Sequence, residues 1–262
     1  MYTVLVMKIL SLNTWGGRAG QEELLVFFKK QAEERVDIFC LQEMWRAPYK
    51  HLEGISAGGL AISHDDVMTD GVQKIQEALP DFRCYFRPHH LDDYGLAMYV
   101  RKDIEVIEEG EVFVYKTRDF IPVGDVGGHA RNIQYITIQS EQGKLTVINF
   151  HGLWNGKGKT DSQDRLVQSD KIVTFLRNLT NPFVLMGDFN LLPDTESIKR
   201  IEETPAKNLI REYGITSTRT SLYSKPEKFA DYCIISKELE VGDFKVLPDE
   251  VSDHAALLLE LR

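Results

Sequence analysis

The chain has few of the residues that mark disulfide-stabilised or zinc-binding proteins. Its three cysteines, Cys40, Cys84 and Cys233, are odd in number and far apart. This spacing argues against a disulfide framework and against a zinc site, and it fits a reducing compartment, so we expect a cytoplasmic protein. The sequence also lacks repeats, low-complexity tracts and linkers, and we therefore expect residues 1–262 to form a single domain.

Excess positive charge and long apolar runs are also missing. The net charge is −9, so no overall positive field attracts the chain to nucleic acid or to an anionic membrane, although this leaves room for a local basic groove. The opening MYTVLVMKIL is too short to span a membrane and has no basic residue ahead of its apolar part. We interpret it as a strand and expect no transmembrane segment. Met1 and Met7 are both compatible with being the natural start.

What the sequence does contain is a mixture of strand and helix patterns. Apolar runs at 4–12 and 37–41 flank a helical pattern at 22–34, which predicts strand, helix, strand. Residues 44–80 are less regular, apart from a short helix, VQKIQEAL, that ends at Pro80. Its segment GISAGGLAIS resembles a loop or a covering segment.

Strand patterns dominate the middle of the chain. We predict six successive strands there, with the turn SEQG joining the last two: CYFRP, GLAMYVRK, IEVIEE, EVFVY, NIQYITIQ and KLTVINF. A helix at 164–179 and a short helix at 195–203 flank the buried strand PFVLMGDFN, and three strands follow: FADYCIISK, GDFKVL and AALLLEL. This order predicts an α/β (α+β) four-layer sandwich, in which two packed, mainly antiparallel sheets are flanked by helices.

Polar side chains follow several apolar strands at the point where each strand ends. Asn13 follows ILSL, Glu43 follows IFCLQ, His151 follows TVINF, and Asp188 and Asn190 follow FVLM. Strand ends can converge in space, and buried carboxylates are costly unless they are paired or bound to a metal. The pattern therefore predicts a site for a hard cation with oxygen ligands, Mg²⁺ or Mn²⁺ rather than Zn²⁺.

Six motifs that span nearly the whole chain resemble the endonuclease/exonuclease/phosphatase superfamily of exonuclease III-like and deoxyribonuclease I-like enzymes. They are, in order, LNTW, LQEMW, NFHG, GDFN, DYCIIS and SDHAAL. Members of this superfamily include nucleases, deadenylases, sphingomyelinases, inositol polyphosphate phosphatases and tyrosyl-DNA phosphodiesterases. The resemblance implies a divalent-metal-dependent phosphoesterase that uses in-line attack by an activated water.

The resemblance also implies which residues hold the metal. Glu43 matches the principal metal-ligand glutamate, Asn13 matches an asparagine that helps to hold it, and Asp253 matches an aspartate that orients or coordinates. Taken alone, each has an ordinary interpretation as a solvated acid, a turn or cap asparagine, or part of a polar loop.

For the reaction itself, the resemblance implies that Asp188 positions or deprotonates the water and that Asn190 contacts the phosphate. His254 binds the phosphate or exchanges a proton. Gly187 allows an unusual backbone at this point of GDFN. The similar letters GDFK at 242–245 lack the asparagine, and we predict a turn there.

His151 and Asp231 form the most informative predicted pair. Asp231 in FADYC matches the family's aspartate that precedes a strand, and the resemblance implies that it is the partner of His151. A carboxylate beside an imidazole fixes its tautomer and raises its basicity. Histidine at this position resembles the deoxyribonuclease-, sphingomyelinase- and deadenylase-like members, while a core histidine is the structural alternative. Arg131 matches a phosphate-contacting arginine of some members, with a surface ion pair as its alternative.

Loops supply the remaining candidates. Trp154, Lys157 and Lys159 lie in a glycine-containing loop that could clamp an anion or simply be solvated, and Arg165 resembles a structural helix-start arginine. We expect substrate specificity to come from residues 44–80 and the segment 112–130.

The substrate class stays open at this stage. A nuclease-type phosphodiesterase is the leading hypothesis, and a sphingomyelinase-like or inositol or sugar phosphate phosphoesterase is the alternative. A catalytically inactive anion-binding module is a second alternative, which the complete set of matching residues disfavours. The partner is accordingly a phosphate ester of a nucleic acid, nucleotide, phospholipid or sugar, and no obligate protein partner is evident.

Overall fold

Strands make up most of the regular structure in the computed structural model, which describes residues 7–140 and 143–262. The strands within this part of the chain are β1 (Met7–Asn13), β2 (Ile38–Trp45), β3 (Ser56–Ala57), β4 (Leu60–Ala61), β5 (Phe82–His90), β6 (Tyr94–Arg101), β7 (Val106–Tyr115), β8 (Arg131–Ser140), β9 (Gly143–His151), β10 (Phe183–Asp188), β11 (Ala206–Asn208), β12 (Asp231–Ser236), β13 (Val241–Val246) and β14 (Leu257–Leu261). The α-helices are α1 (Gln21–Glu33), α2 (Gly71–Ala78), α3 (Gln163–Asn178), α4 (Glu196–Glu202) and α5 (Leu209–Glu212).

Two six-stranded sheets share one arrangement. The first has the order β13-β14-β1-β2-β6-β5 and the second β11-β12-β10-β9-β8-β7. In each sheet one parallel pair, β1 with β2 or β10 with β9, occupies the centre, and the other neighbours are antiparallel. In each sheet, the two central strands therefore end at the same edge. The antiparallel neighbours, β14 in the first sheet and β12 in the second, begin at that edge.

The sheets pack face to face, with helices on the outside. Alternation along β1 shows why, since Ile9 lies in the core between the sheets while Leu10 lies in the core beneath α1 and α2. On the far side, Ile172 of α3 and Ile198 of α4 join the core of the second sheet. Burying each such side chain contributes roughly 1.5–3 kcal/mol. The predicted four-layer sandwich is thereby confirmed.

A buried amide pair joins the two sheets behind the strand ends. Gln42 of β2 donates from Nε2 to Oδ1 of Asn149 on β9 at 2.7 Å, and Asn149 donates from Nδ2 to the Leu41 carbonyl at 3.0 Å. Buried polar groups must find partners, so these bonds fix how the sheets face each other.

The structure corrects some predicted elements. IEVIEE and EVFVY form one strand, β7. The letters GDFK at 242–245 lie within β13, which extends the first sheet alongside β14, so the predicted strand GDFKVL is present and the predicted turn at GDFK is wrong. GISAGGLAIS contains the short hairpin of β3 and β4. Residues 141 and 142 of the predicted SEQG turn and residues 4–6 of the predicted first strand lie outside the described residues.

Helix α3 begins and ends close to its predicted limits. The Ser162 side chain accepts a hydrogen bond from the Arg165 backbone amide at 3.3 Å and so caps the start of the helix. At the other end, the backbone becomes extended at Leu179, three residues before Pro182. None of the described helices has the length and apolarity needed to span a membrane.

Candidate active site

The predicted site residues meet where the central strands end. A cavity of about 330 Å³ opens there. Its lining includes the predicted residues Glu43, Arg131, His151, Lys159, Asp188, Asn190, Asp253 and His254. Asn13 and Asp231 lie immediately behind them and contact Glu43 and His254, respectively. All ten residues that the sequence singles out here therefore occupy one region of the molecule.

Glu43 owes its direction to a bulge in β2. The pairing of β2 with β6 shifts between Leu41 and Met44, and Glu43 has a φ of +58°. A left-handed conformation at a non-glycine residue costs about 1–3 kcal/mol and persists only where the surroundings fix it. Asn13 provides part of that restraint, because its Nδ2 donates to Glu43 Oε1 at 3.1 Å.

The GDFN turn holds Asp188 in a similarly constrained backbone. A Cβ on Gly187, whose φ is +145°, would overlap the Phe150 carbonyl oxygen, so only glycine fits there. Asn190 has a φ of +54°, and its amide donates to Asp188 Oδ1 at 2.8 Å. Asn13 donates to Asp188 Oδ2 at 3.0 Å, so that one asparagine bridges Glu43 and Asp188.

Asp231 pairs with His254, and the predicted pairing with His151 is wrong. Both carboxylate oxygens of Asp231 lie 2.9 Å from His254 Nδ1. Sheet order gives the reason. Asp188 on β10 is directly opposite Asp231 on one side and His151 on the other, and so separates them. His254, which precedes β14 in the opposite sheet, reaches Asp231 instead.

The two histidines face the same oxygen. His151 Nε2 and His254 Nε2 each lie 3.6 Å from Asp188 Oδ2. His151 Nδ1 lies 3.3 Å from Nη1 of Arg131, which can only donate, so the imidazole proton of neutral His151 is on Nε2. Both rings therefore present Nε2 towards Asp188.

The pKa values of His151 and His254 are shifted in opposite directions. Burial lowers the pKa of His151 well below its usual value, and Arg131 adds to that effect. Burial also lowers the pKa of His254, but the neighbouring carboxylates, Asp231 foremost, outweigh it and the net shift is upwards. His151 is accordingly the neutral ring and His254 the more readily protonated one.

Asp188 is held as a carboxylate. Burial by itself raises its pKa, but the cationic groups around it, His254 foremost and then Lys159 and Arg219, outweigh burial and lower it. A buried carboxylate that is ionised in this way can accept hydrogen bonds and orient a water, although its lowered pKa makes it a weak base.

Glu43 and Asp253 are the residues best suited to a cation. Burial raises the pKa of Glu43, and the charge of Asp253 raises it further, so the two carboxylates repel each other. Asp253 Oδ1 has no hydrogen-bond partner within the described part of the chain, while Oδ2 lies 3.1 Å from Nη1 of Arg219. Asp188, Asp231 and His254 also lie within 4.8 Å of one another. Because His254 Nδ1 is already bonded to Asp231, we interpret that second group as a hydrogen-bonded relay.

Arg131 and Lys159 are both buried in the pocket wall. Arg131 donates to the Gly127 carbonyl at 2.9 Å and faces His151, so the alternative of a surface ion pair is wrong. Lys159 is 2% exposed and its Nζ has no hydrogen-bond partner among the described residues, whereas Lys157 is exposed. Arg165 donates to the Leu153 carbonyl from inside the fold, as its structural interpretation requires.

The two segments expected to give specificity contact each other over the pocket. Residues 52–62, which we call the roof, are tied down by Asp125. Its carboxylate accepts hydrogen bonds from the Gly58 amide at 2.7 Å, the Gly59 amide at 2.9 Å and the Ser56 hydroxyl at 2.8 Å. The roof lines the pocket together with Val126 and Trp154.

Several pocket residues carry no motif in the sequence. They are Arg18, His90, Tyr94, His129, Arg219 and Tyr223. Arg219 pairs with His254 in an isolated β-bridge and lies 4.0 Å from the centre of the Tyr223 ring. Only the paired letters HH at 89–90 and the glycine-flanked histidine of GGHA give any hint of these positions.

Comparisons with known proteins agree with this fold. The model of the Endonuclease/Exonuclease/phosphatase family matches residues 10–254, and a comparison with curated sequences gives no match. A family protein from Bacteroides thetaiotaomicron is 16% identical with a TM-score of 0.75, over 100% of this chain and 96% of that chain. A mannosyl-6-phosphatase from Bacteroides thetaiotaomicron VPI-5482 is 17% identical with a TM-score of 0.74, over 98% and 99%.

The human Nocturnin catalytic domain with a bound sulfate anion is 16% identical with a TM-score of 0.68, over 98% of this chain and 94% of that chain. Identities this low show a shared fold and nothing finer. Because the family model spans nearly all of the sequence, the chain belongs to the endonuclease/exonuclease/phosphatase family, whose members are phosphoesterases.

Proposed function

We propose that the protein is a divalent-metal-dependent phosphoesterase that hydrolyses a compact phosphate ester by in-line attack of water. The surroundings of Asp188 carry this proposal. The carboxylate is buried, is hydrogen-bonded by Asn13 and Asn190, and lies 3.6 Å from the Nε2 atoms of His151 and His254. A carboxylate fixed in this way can align a water, and it can accept the proton as the oxygen bonds to phosphorus and the water becomes more acidic.

The residues opposite Asp188 supply hydrogen-bond donors for the phosphate. Asp231 accepts a hydrogen bond from His254 Nδ1 and so turns Nε2 towards the pocket, where it donates when the ring is protonated, a state that the raised pKa of His254 favours. His151 and Asn190 add donors nearby, and donors placed before the reaction stabilise charge on the phosphate oxygens without reorganisation. Arg131 acts through His151, whose proton it confines to Nε2.

Glu43 and Asp253 are proposed to hold the cation, with Asn13 keeping Glu43 in place. Carboxylate oxygens are the donors that Mg²⁺ and Mn²⁺ prefer. Asp253 Oδ1, which accepts no hydrogen bond from the described residues, and the desolvated Glu43 carboxylate both fit such a cation, whose charge would offset their burial. When bound, a cation of this kind stabilises negative charge on phosphate oxygens.

The roof supports a compact substrate. Asp125 ties the roof across the pocket, and the cavity of about 330 Å³ suits a small molecule better than a duplex. The net charge of −9 also gives a polyanion no general attraction. The geometry thus favours small phosphorylated molecules over the nuclease hypothesis.

The second candidate is a nuclease-type reaction at the end of a nucleic-acid strand. Two aromatic rings that line the pocket lie against cations: Trp154 has Lys225 Nζ at 5.0 Å from its ring centre, and Tyr223 has Arg219 at 4.0 Å. Aromatic rings of this kind can stack a base of a single strand.

Four substrates test the proposal: p-nitrophenyl phosphate, bis-p-nitrophenyl phosphate, glucose 6-phosphate and a single-stranded oligonucleotide, each with Mg²⁺, with Mn²⁺ and with EDTA. We expect turnover of a small substrate that EDTA abolishes. Separate Glu43→Gln and Asp188→Asn variants should each lose about 10³-fold in kcat/KM, since each removes a charge from the reaction centre.

Glu238→Gln and Asp81→Asn are matched controls, because both residues are exposed and lie outside the pocket lining. Near-full turnover in both active-site variants would overturn the assignment. Cleavage of the oligonucleotide alone would establish the second candidate. No turnover of any substrate, despite bound Mn²⁺, would indicate an anion-binding module.

A further inference from the structure

Three buried histidines form a group beside the reaction centre that the proposed chemistry does not use. His89 and His90 end β5, and His129 lies two residues before β8. The rings of His89 and His129 stack with centres 4.8 Å apart, and those of His90 and His129 lie 5.3 Å apart. His90 and His129 line the pocket, whereas His89 is buried behind them. We call these three residues the histidine end of the pocket.

The histidine end is uncharged. Burial lowers the pKa of His129 well below its usual value and that of His90 to about 4, and the charge of Arg131 lowers both further. The flanking side chains are aromatic: Tyr49 lies against His90, and Tyr94 lies against His129 with ring centres 5.3 Å apart. A neutral imidazole offers one donor and one acceptor and attracts anions weakly.

Hydrogen bonds fix one ring and leave another free. His129 Nδ1 lies 2.9 Å from the Ala130 carbonyl oxygen, which only accepts, so the proton is on Nδ1 and Nε2 is an acceptor. His90 is 3% exposed, and neither of its ring nitrogens has a hydrogen-bond partner among the described residues. Buried polar atoms rarely stay without a partner, so His90 calls for one from outside the chain.

We propose that His90 and His129 bind a hydroxyl group on the alcohol part of the phosphate ester. A hydroxyl both donates and accepts, so it can donate to His129 Nε2 and accept from a ring N–H of His90. Tyr94 and Trp45, whose ring centres lie 4.9 Å apart, provide an apolar surface alongside. The substrate class is then a phosphorylated polyol, and this inference rests on the proposed phosphoesterase function.

A metal at the histidine end fits less well. The group of possible ligands found within the described residues is Asp188, Asp231 and His254, and none of the three histidines at this end belongs to it. The guanidinium of Arg131 also lowers the pKa of both His89 and His129 and would repel a cation in the same way.

The test compares glucose 6-phosphate with hexyl phosphate, which has the same number of carbons and no hydroxyls. His90→Phe keeps the ring volume and removes both nitrogens. We expect kcat/KM for glucose 6-phosphate to fall about tenfold, mainly through KM, as for one lost hydrogen bond. Turnover of hexyl phosphate should change less than about twofold. His90→Asn, which restores a donor and an acceptor, should recover part of the loss.

His51→Phe is the matched control, because His51 is exposed and lies outside the pocket lining. Equal losses on both substrates, or no loss on either, would overturn the inference. A separate binding measurement uses the shift in Tm of the wild type and of His90→Phe with each compound in EDTA.

A Tm increase with glucose 6-phosphate that His90→Phe removes supports the hydroxyl site even if no substrate is hydrolysed, in which case only the proposed function fails. The same Tm increase in wild type and variant, or none in either, counts against the hydroxyl site whatever the activity.

Discussion

The two ends of the pocket differ in how far their polar groups are satisfied before a ligand arrives. At the reaction end, made of Glu43, His151, Asp188, Asp253 and His254, most polar atoms already have a hydrogen bond or an ion pair. At the histidine end, both ring nitrogens of His90 lack a partner among the described residues. Under the proposed function the first end is held in geometry for the reaction, and under the proposed hydroxyl site the second end is completed by the substrate.

We therefore assign the proposed catalysis to the reaction end and the proposed substrate recognition to the histidine end. Groups that stabilise a transition state act best when their partners already fix them, because no reorganisation is then needed. Groups that choose a substrate must instead form new bonds with it, so their unpaired atoms discriminate against molecules that lack the matching group. Changes at the reaction end should therefore alter kcat for all substrates, and changes at the histidine end should alter KM for some.

The largest expected effect tests the Asp231 and His254 pair. Asp231→Asn and His254→Gln should each lower kcat about 10²–10³-fold, because each breaks one relay. The double variant should be little worse than either single variant. Measuring kcat on p-nitrophenyl phosphate for the wild type, the two single variants and the double variant gives the coupling between Asp231 and His254.

The corresponding cycle of Asp231→Asn with His151→Gln is the control, since Asp188 separates these two residues. We expect weaker coupling there. Stronger coupling of Asp231 to His151 than to His254 would restore the pairing predicted from the sequence.

A smaller effect concerns Lys159, the buried lysine in the wall of the pocket. Burial lowers the pKa of Lys159 from 10.5 to about 8. Between these values the folded protein binds fewer protons than the unfolded chain, so the free energy of unfolding should rise with pH from about 8 to 10.5. Lys159→Met should lack this rise and should be more stable at pH 7 by about 3 kcal/mol.

We also expect Lys159→Met to lower kcat/KM about tenfold, through the loss of a cation near the phosphate. Lys157→Met is the control, because Lys157 is exposed two residues away. Urea unfolding from pH 7 to 10 measures the stability difference. If both variants keep the wild-type pH dependence, Lys159 is not a buried cation in solution.

The smallest expected effect concerns the roof. Asp125→Ala removes acceptors for the Ser56 hydroxyl and for the Gly58 and Gly59 amides, so the roof should loosen. KM for glucose 6-phosphate should rise about threefold, equivalent to part of one hydrogen bond. Turnover of the bulkier bis-p-nitrophenyl phosphate should stay equal or increase. A fall on both substrates to the same extent would mean that the roof does not select by size, and Asp119→Ala serves as the exposed control.

The sequence was sufficient to predict most of the reaction end. Strand ends carry Asn13, His151 and Asp188, and apolar runs define the strands before them, so the residues and their edge of the sheet follow from local patterns. The need for glycine at Gly187 also follows from the motif, although the Phe150 carbonyl that enforces it is visible only in the structure.

Other features depend on which strands are neighbours, and no local pattern encodes that. The order of β12, β10 and β9 places Asp188 between Asp231 and His151. Asp231 therefore pairs with His254 instead of His151. The bulge that aims Glu43 arises from pairing with β6, and a one-residue shift of register reverses the direction of every side chain in a strand.

The sequence by itself therefore determined the family, the layered fold and which residues are the candidates for the reaction, because apolar periodicity and short motifs are local properties. Only the tertiary structure decided the hydrogen-bond pairing, the roof over the pocket and the histidine end. His90 and His129 are 39 residues apart in sequence and have little local pattern around them, yet their rings lie 5.3 Å apart. Contacts between distant segments depend on how sheets and loops pack, and that packing is a property of the whole chain.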